Sequence, residues 1–540
     1  MSGPEPPRKD AEGETAPPRE SAADGASSRV TRSKVTRNSV YTVAAYALNL
    51  PLSLFVSRFV VHRIGLSAFG TWAALTIVLS FGSLLDLGVT TPLVKYTAEY
   101  MTDSRERNIN TLLNTAMVFY FAAGAVFVGV ASLGSGWVLA HLFHVSPNDV
   151  QLRFLYFAVI LGFWVSLTFS MLQSLLIGLQ LSYVVARLAL LFNVLGAIGV
   201  IITLSLGMGI NGLAITWLTV TVLTIGANWA IAKRHFPSLQ IDPRLFSWRE
   251  LRRIMGFSTK VQVTTLTLFL NDQVDRTLIV YALGPASLGF YQLASRAAFA
   301  LRGISFSLLA GFVAVSSDLA ATSQHARLLR LYIKATRYVA AVDYGLFAGV
   351  ASLSQPLVWA WLGAGYGQVA DTIILVLAGY AVWLPTQPTT ETLNGLGRPE
   401  IRMRADLAFL FLHIPLSIFL IWRFGYFGTI VGTVFALAVT RVYLYTVGPR
   451  LIGVSPVLLF RQSLLHPAIA ALLASAGVLA LEAATYISWA WLVIEVALFG
   501  TIYLTYGYFF ILDDEDRGAI TSRLPALGRL KASILRPRLP

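Results

Sequence analysis

The sequence predicts an all-α polytopic membrane protein of about fourteen transmembrane helices, built as two parallel six-helix repeats plus a C-terminal helix pair. Three observations support this fold class. Hydrophobic residues make up 56% of the chain and charged residues only 13%, whereas soluble domains carry roughly 25% charged residues. Apolar residues come in runs of about twenty, enough for a helix to cross a bilayer core of roughly 30 Å. A short pattern in the first half also recurs in the second.

The apolar runs and the polar breaks between them define the predicted organisation. Transmembrane spans are expected at residues 41–61, 70–94, 111–140, 152–175, 184–206, 211–233, 257–281, 287–316, 335–358, 370–392, 403–424, 427–449, 463–484 and 487–511. The chain then divides into six segments. They are a disordered cytoplasmic tail at 1–40, a first six-helix half at 41–233, a cytoplasmic linker at 234–256, a second six-helix half at 257–449, helices 13–14 at 463–511 and a basic cytoplasmic tail at 512–540.

The distribution of basic residues predicts the orientation. If the N-terminus is cytoplasmic, the outer loops contain only Arg63, Arg153 and Arg423 of the 41 Lys and Arg residues. Cytoplasmic loops are the ones that carry an excess of Lys and Arg. Both termini are therefore expected in the cytoplasm, and the net charge of +14 is expected to face anionic membrane lipids rather than nucleic acid.

The internal repeat is the most specific organisational signal. Residues 64–72, IGLSAFGTW, align with residues 283–291, LGPASLGFY, so that Gly65 matches Gly284 and Gly70 matches Gly289. At nearly the same spacing, Gly178, Leu179 and Arg187 match Gly395, Leu396 and Arg404. An even number of spans in each half makes the repeats parallel, and transporters built in this way bind substrate between the repeats near the membrane midplane.

Several short stretches are similar to one known family. They are Arg58, Ile64–Gly70, Leu84–Gly88 and Lys95–Tyr100 in the first half, and Asp275-Arg276, Leu283–Ala286 and Gly289–Tyr291 in the second. Together they resemble the Wzx-type polysaccharide and O-antigen flippases of the multidrug/oligosaccharidyl-lipid/polysaccharide (MOP) exporter superfamily. The resemblance implies translocation of a polyprenyl-pyrophosphate-linked oligosaccharide across the bacterial inner membrane, for export of exopolysaccharide, capsule or O-antigen. A polysaccharide polymerase and the export machinery are the partners that it suggests.

Two absences from the sequence exclude other chemistry. The chain has no cysteine, so disulfides, zinc–thiolate sites and iron–sulfur clusters are excluded. It contains no Gly-Lys dipeptide, so the phosphate-binding loop of ATPases is missing. We therefore expect neither an enzyme nor a bound cofactor or metal.

Charged residues inside spans are the candidate site residues, because each costs roughly 2.5–3.5 kcal/mol on insertion scales and usually faces a bundle interior or wet cavity. Asp272, Asp275 and Arg276 share one face of span seven. Arg58 lies in span one, and Arg296 and Arg302 lie in span eight. The hypothesis is that the four arginines attract a pyrophosphate group, while the two aspartates neutralise them in the empty site or take up a coupling cation.

A plainer interpretation stays open: Asp272 and Arg276 pair permanently within their helix, and Arg58 snorkels to the outer interface. Weaker site candidates are Asp86, Lys95, Asp343 and Glu391. His413 is favoured as a packing histidine, and Glu495 in span fourteen has no interpretation.

Two competing functions are considered. The first is a cation-coupled small-molecule or multidrug exporter of the same superfamily, which favours an apolar, aromatic cleft. The second is a membrane glycosyltransferase, polymerase or ligase. The longest outer connection, residues 141–152, is short for the catalytic loop of such an enzyme.

Overall fold

The computed structural model describes residues 21–86, 88–102, 106–146, 148–309, 311–483 and 487–523, with side chains described from residue 50 onward except at 257–265, 267–268, 271 and 519–523. Its α-helices are α1 Ser21–Ser83, α2 Thr90–Thr102, α3 Glu106–Leu133, α4 Ser135–His141, α5 Val150–Thr168, α6 Met171–Gly178, α7 Ser182–Ser205, α8 Gly209–His235, α9 Trp248–Leu283, α10 Pro285–Leu308, α11 Phe312–Ala321, α12 His325–Ser352, α13 Ser354–Leu362, α14 Gly367–Trp383, α15 Gln387–Gly395, α16 Glu400–Phe424, α17 Tyr426–Ile452, α18 Pro456–Leu459, α19 Leu465–Glu482, α20 Trp489–Phe510 and α21 Asp514–Arg523. Short 3-10 turns lie at Leu84–Asp86, Pro243–Leu245 and Leu384–Thr386, and a π-helical turn lies at Phe460–Leu464.

The predicted all-helical, multi-pass class is confirmed, but the count of fourteen spans is not. Eleven helices of the described residues are long and apolar enough to cross a membrane, or 12 if α12 and α13, bent by 66°, form one span. Predicted span one and the first part of predicted span two both lie in α1, which is interrupted by the non-helical backbone of Gly65. The rest of span two includes the Leu84–Asp86 turn and the start of α2. α9, which carries Asp272, Asp275 and Arg276, is not among the eleven.

Two predicted boundaries differ from the structure. Residues 21–40, expected to be disordered, belong to α1, and the rest of that tail, like residues 524–540 of the basic tail, lies outside the described residues. The predicted linker 234–256 is shortened from both ends, because α8 runs to His235 and α9 begins at Trp248. Ser247 caps α9 by accepting a hydrogen bond from the Glu250 backbone N–H at 3.5 Å, as the Ser-x-x-Glu spacing favours.

The remaining linker is fastened to α3 by two buried asparagines. The Asn110 side chain donates to the Ser238 carbonyl at 2.8 Å and accepts from the Gln240 N–H at 2.9 Å. The Asn114 side chain donates to the Gln240 carbonyl at 2.7 Å and accepts from the Asp242 N–H at 2.9 Å. The segment that connects the two halves is therefore held by hydrogen bonds against α3 of the first half.

The two copies of the repeated glycine pattern meet each other. Gly65 (φ 82°, ψ 165°) and Gly284 (φ 85°, ψ 176°) share a backbone conformation that only glycine adopts readily. A Cβ atom added at Gly70 would lie 1.7 Å from the Pro285 carbonyl oxygen, and one added at Gly289 would lie 2.8 Å from the Leu66 carbonyl oxygen. Because Leu66 and Pro285 are themselves equivalent in the repeat, α1 and α10 make a reciprocal, backbone-to-backbone contact.

The Gly70→Val substitution tests this contact. The added methyl groups would push the α1 and α10 backbones apart, and we expect a loss of about 1–3 kcal/mol in unfolding free energy, as for overpacking. Gly129→Val in α3 is the matched control, because a Cβ atom at Gly129 meets nothing within 4 Å, so a change below about 0.5 kcal/mol is expected. Unfolding of the purified protein in detergent gives the comparison; equal stability of the two variants would contradict the contact.

The acidic segment after α20 docks on the N-terminal half of α12. Arg337 pairs with Asp513, and the Lys334 ammonium lies 3.1 Å from Asp516. The Tyr338 hydroxyl donates to Asp516. The Tyr338 hydrogen bond, followed by Lys334, lowers the pKa of the Asp516 carboxyl below its ordinary value.

This lowered pKa predicts the direction of a pH effect. The stability that Asp516 contributes is present at neutral pH and is lost as the pH falls through the lowered pKa, below the ordinary carboxyl range. A spin label on a cysteine introduced at Gly518 should become more mobile on acidification, and Asp516→Asn should make it mobile at neutral pH. Glu515→Gln is the milder comparison, because the Glu515 carboxylate lies 3.9 Å from Lys334 but is 92% exposed, so a much smaller change is expected. Unchanged label mobility in Asp516→Asn would refute the docking.

Candidate functional site

A charged, aromatic-walled cavity of about 280 Å³ lies among α9, α10, α14, α16 and α17. Of the predicted site residues, Asp272, Asp275 and Arg302 line it. All of its described lining residues belong to the second half, so this cavity is not the gap between the halves in which the sequence led us to expect the site. Its aromatic walls are Tyr291, Phe299, Phe306, Tyr380, Trp383 and Phe409.

Asp272 of the predicted span-seven cluster forms an ion pair with a residue on another helix. Arg302 of α10 approaches Asp272 of α9 at 3.4 Å, and the described residues contain no salt bridge between Asp272 and Arg276. The Arg302 guanidinium also lies 4.5 Å from the ring centre of Phe299 and 5.8 Å from that of Trp383. A carboxylate and two aromatic faces therefore compensate its charge.

A second set of charged residues that line the cavity forms a chain of ion pairs. Asp406 of α16 accepts from Arg441 of α17 at 2.9 Å and from Arg402 at 3.3 Å. Arg402 also lies 3.6 Å from Glu391, one of the weaker predicted candidates. Arg402 and Asp406 were not among the predicted site residues. Their i, i+4 spacing at the start of the predicted span 403–424 is the signal that could have found them, since the same spacing singled out the cluster in span seven.

Asp275 is the centre of a buried hydrogen-bond cluster that joins three helices. Its carboxylate lies 2.8 Å from the Nε2 atom of His413 of α16 and accepts from the Thr433 hydroxyl of α17 at 2.7 Å. His413 is fully buried and stacks on Phe409 with ring centres 4.9 Å apart. The histidine expected to be a packing residue thus also holds a carboxylate from α9.

Three predicted arginines contact the boundary between the halves or the helices beside it. Arg296 of α10 donates to the Ser57 hydroxyl of α1 at 2.7 Å, and so reaches from the second half to the first. Arg276 lies over Phe299 at 5.3 Å, and its buried Nε atom has no hydrogen-bond partner. Arg58 is exposed and donates to the Ala360 carbonyl at 3.0 Å.

These three arginines differ from the cavity arginines in their charge balance. Among the residues that the structure describes, none of the three has a carboxylate within 4.0 Å. By contrast, the charged residues that line the cavity are balanced, with Arg302, Arg402 and Arg441 against Asp272, Asp275 and Asp406. α9 and α10, which carry Arg276 and Arg296, both contact α1. Uncompensated positive charge is therefore concentrated beside the inter-half boundary.

The remaining weak candidates lie away from the cavity. Asp86 accepts from the Tyr120 hydroxyl and from the Thr90 hydroxyl at 3.0 Å, within the first half. Asp343 is fully buried and accepts from the Ser305 hydroxyl. Lys95 lies 5.5 Å from the Tyr96 ring centre. None of these three lines the cavity.

Comparisons with known proteins agree on family and fold. A family model described as "polysaccharide biosynthesis protein" matches residues 60–371. No curated protein sequence matches the chain. Among solved structures, the Lipid II flippase MurJ in an inward-closed conformation superimposes with a TM-score of 0.67 at 15% identity, covering 88% of this chain and 98% of that one.

Two further solved structures are similar. An inward-facing MATE family multidrug resistance transporter of the MOP superfamily gives a TM-score of 0.60 at 16% identity, over 77% of this chain and 98% of the other. A MOP superfamily transporter from Pyrococcus furiosus gives 0.52 at 14% identity, over 78% and 95%. At these identities the similarity establishes the fold, and this fold agrees with the resemblance stated from the sequence.

The buried Asp406–Arg441 pair supports a stability prediction. Asp406→Asn leaves Arg441 buried without a carboxylate and should cost about 3–5 kcal/mol of unfolding free energy. The double variant Asp406→Leu/Arg441→Met should recover most of that loss, because Arg402 keeps Glu391 as a partner. Asp514→Asn, which breaks an exposed pair with Arg517, should cost less than about 1 kcal/mol. Denaturant unfolding in detergent measures all three; a double variant as unstable as Asp406→Asn would argue against a compensated pair.

Proposed function

The chain belongs to the family of polysaccharide biosynthesis proteins, and on that premise we propose that it is a flippase for a polyprenyl-pyrophosphate-linked oligosaccharide. The oligosaccharide would cross the bacterial inner membrane for export as exopolysaccharide, capsule or O-antigen. The observation that carries this proposal is the position of Arg276 and Arg296. Both lie on helices that contact α1, and neither has a described carboxylate partner.

The chemistry of the proposed substrate fits these two arginines. A lipid pyrophosphate carries two or more negative charges, which cannot cross hydrocarbon without compensation. The planar guanidinium stays charged when it is desolvated and binds phosphate oxygens in a bidentate way. Arg296 is held by the neutral Ser57 hydroxyl and, at 3.5 Å, by the Ser53 carbonyl. A phosphate group can replace these neutral acceptors without leaving a carboxylate unpaired.

Asp272 has a different role in this proposal. In the empty protein it neutralises Arg302 across the cavity, at 3.4 Å. An anionic ligand would compete with Asp272 for the Arg302 guanidinium. Arg302 would therefore be available to the ligand only when the Asp272–Arg302 pair separates. Arg58 is exposed. It would therefore attract the pyrophosphate headgroup electrostatically rather than form part of its binding site.

The proposed mechanism is alternating access between the two halves, at residues 41–233 and 257–449, with both chain termini in the cytoplasm. The reciprocal glycine contact joins the kink of α1 near Gly65 to the start of α10, beyond the end of α9 that lies opposite the cytoplasmic linker, so it would close the path on the outer side. Movement of this contact would expose Arg276 and Arg296 to that side. Membrane lipids surround the bundle, and a polymerase or export machinery would receive the flipped product.

One observation favours a second candidate, a cation-coupled exporter of small organic molecules. The cavity of the second half is balanced in charge and walled by aromatic rings such as Phe299, Tyr380 and Trp383. Such a lining suits an apolar or aromatic ligand. Under this alternative, Asp275 would take up the coupling cation, and Arg276 and Arg296 would have no direct part in substrate binding.

Replacement of the two boundary arginines separates the candidates. We expect Arg276→Gln and Arg296→Gln each to reduce flipping of a lipid-linked oligosaccharide in proteoliposomes by roughly ten- to hundredfold, since a hydrogen bond to a charged group contributes about 1.5–3 kcal/mol. Lys at either position keeps the charge but loses the planar fork, so we expect intermediate rates. The same vesicles are assayed for export of an organic cation.

The control is Arg423→Gln, which removes an exposed arginine from the end of α16 and should leave flipping unchanged. If both glutamine variants insert normally and flip the glycan lipid at the rate of the unchanged protein, the flippase proposal fails. Loss of organic-cation export with no glycan-lipid flipping in any variant would favour the exporter instead.

A further inference from the structure

A second, smaller cavity of about 210 Å³ lies away from the proposed transport site, between α13 and the ends of α19 and α20. Two carboxylates, Glu482 at the end of α19 and Glu495 in α20, line it together with Gln355, Ser488 and Trp491. None of its described lining residues is basic. It belongs to the C-terminal helix pair, which the proposed alternating-access mechanism does not use.

Glu495 is the unusual group in this cavity. Its side chain is only 3% exposed, and one carboxylate oxygen has no hydrogen-bond partner. Among the described residues, neither Glu495 nor Glu482 has a basic side chain within 4.0 Å. Burial of a carboxylate without a partner is costly, so such a group is either protonated or compensated by a cation.

We propose that this cavity binds a primary ammonium group, with Glu495 and Glu482 as its anionic partners. An ammonium group has three N–H donors and needs three acceptors. The two carboxylates supply two of them. Gln355 donates its amide N–H to Asp371 at 3.1 Å, which leaves its carbonyl oxygen as an acceptor. Trp491 adds an aromatic surface of the kind that attracts cations.

A metal ion fits the same residues less well. Calcium takes 6–8 oxygen ligands, often several of them carboxylates. The described residues contain no group of three or more His, Cys, Asp or Glu side chains able to hold a metal ion. A compact monovalent cation with three hydrogen-bond donors matches two carboxylates and one amide oxygen better than an ion of high coordination number does.

The level of the cavity in the membrane indicates where the ammonium group comes from. Trp359 of α13 and Trp489 at the start of α20 lie 6.1 Å apart between ring centres, beside this cavity. Tryptophan is enriched where helices meet the membrane–water interface. The ligand is therefore either the headgroup of an ethanolamine phospholipid or a free small amine, and both have the same recognised chemistry.

Native mass spectrometry of the full-length protein tests the proposal. Wild type, Glu495→Gln and Glu482→Gln are titrated with phosphatidylethanolamine, phosphatidylglycerol and phosphatidylcholine of the same acyl chains. We expect the wild type to retain phosphatidylethanolamine in preference to the other two lipids, and each variant to weaken that retention at least roughly tenfold. Competition by millimolar ethanolamine identifies a free amine as a ligand; failure to compete identifies the lipid.

Glu515→Gln is the matched control, because it removes an exposed carboxylate remote from the cavity and should leave retention unchanged. Equal retention of phosphatidylethanolamine by the wild type and by whichever of the two variants folds would overturn the proposal. So would calcium binding that both variants abolish and that the amine does not displace. Flipping of the glycan lipid is measured separately, so failure here leaves the flippase proposal intact.

Discussion

The structure depends on one constraint: an ionisable group inside a membrane bundle must have a compensating partner or face water. In the second half, this constraint is met by pairs between helices. Asp272 compensates Arg302, Asp406 compensates Arg441 and Arg402, and Asp275 is held by His413 and Thr433. Because every pair joins different helices or different turns, the charges that are expensive to bury also fix how α9, α10, α16 and α17 pack together.

Arg276 and Arg296 follow the same constraint in another way. Their partners among the described residues are an aromatic ring, a serine hydroxyl and a backbone carbonyl, which reduce the cost of burial without cancelling the charge. Breaking a buried ion pair to admit a ligand leaves a carboxylate unpaired, whereas exchanging a hydroxyl for a phosphate oxygen does not. The proposed position of the anionic ligand is therefore beside the half-boundary rather than in the charge-balanced cavity.

Much of this arrangement follows from the sequence, and the rest does not, for physical reasons. Most predicted spans overlap a helix or a pair of helices, because length and apolarity largely decide whether a segment can cross a bilayer. Spans one and two instead share α1, and α9 is not among the helices that are long and apolar enough to cross. The charges in span seven stand out because they interrupt an apolar run. Which partner each charge finds depends on helix packing, so Asp272 pairs with Arg302 rather than with Arg276 on its own helix. Arg402 and Asp406 follow the same rule; spacing could have marked them, but only the fold brings Arg441 to Asp406.

The contact between the two halves adds the last element. Gly70 and Gly289 bring the α1 and α10 backbones together, and Arg296 of α10 donates to the Ser57 hydroxyl of α1 in the same helix pair. Separating α1 from α10 would uncover a shared apolar core that includes Phe69, Leu293 and Ala298, but it would break no ion pair among the described residues. Separating α16 from α17 would break the Asp406–Arg441 pair at a cost of several kcal/mol. The two helix pairs therefore differ in what opening would cost: apolar surface at the α1–α10 contact, and a buried ion pair at the α16–α17 contact. In the proposed mechanism the charge-paired second half moves as a unit against the first, and Arg296 lies on the face of α10 that contacts α1.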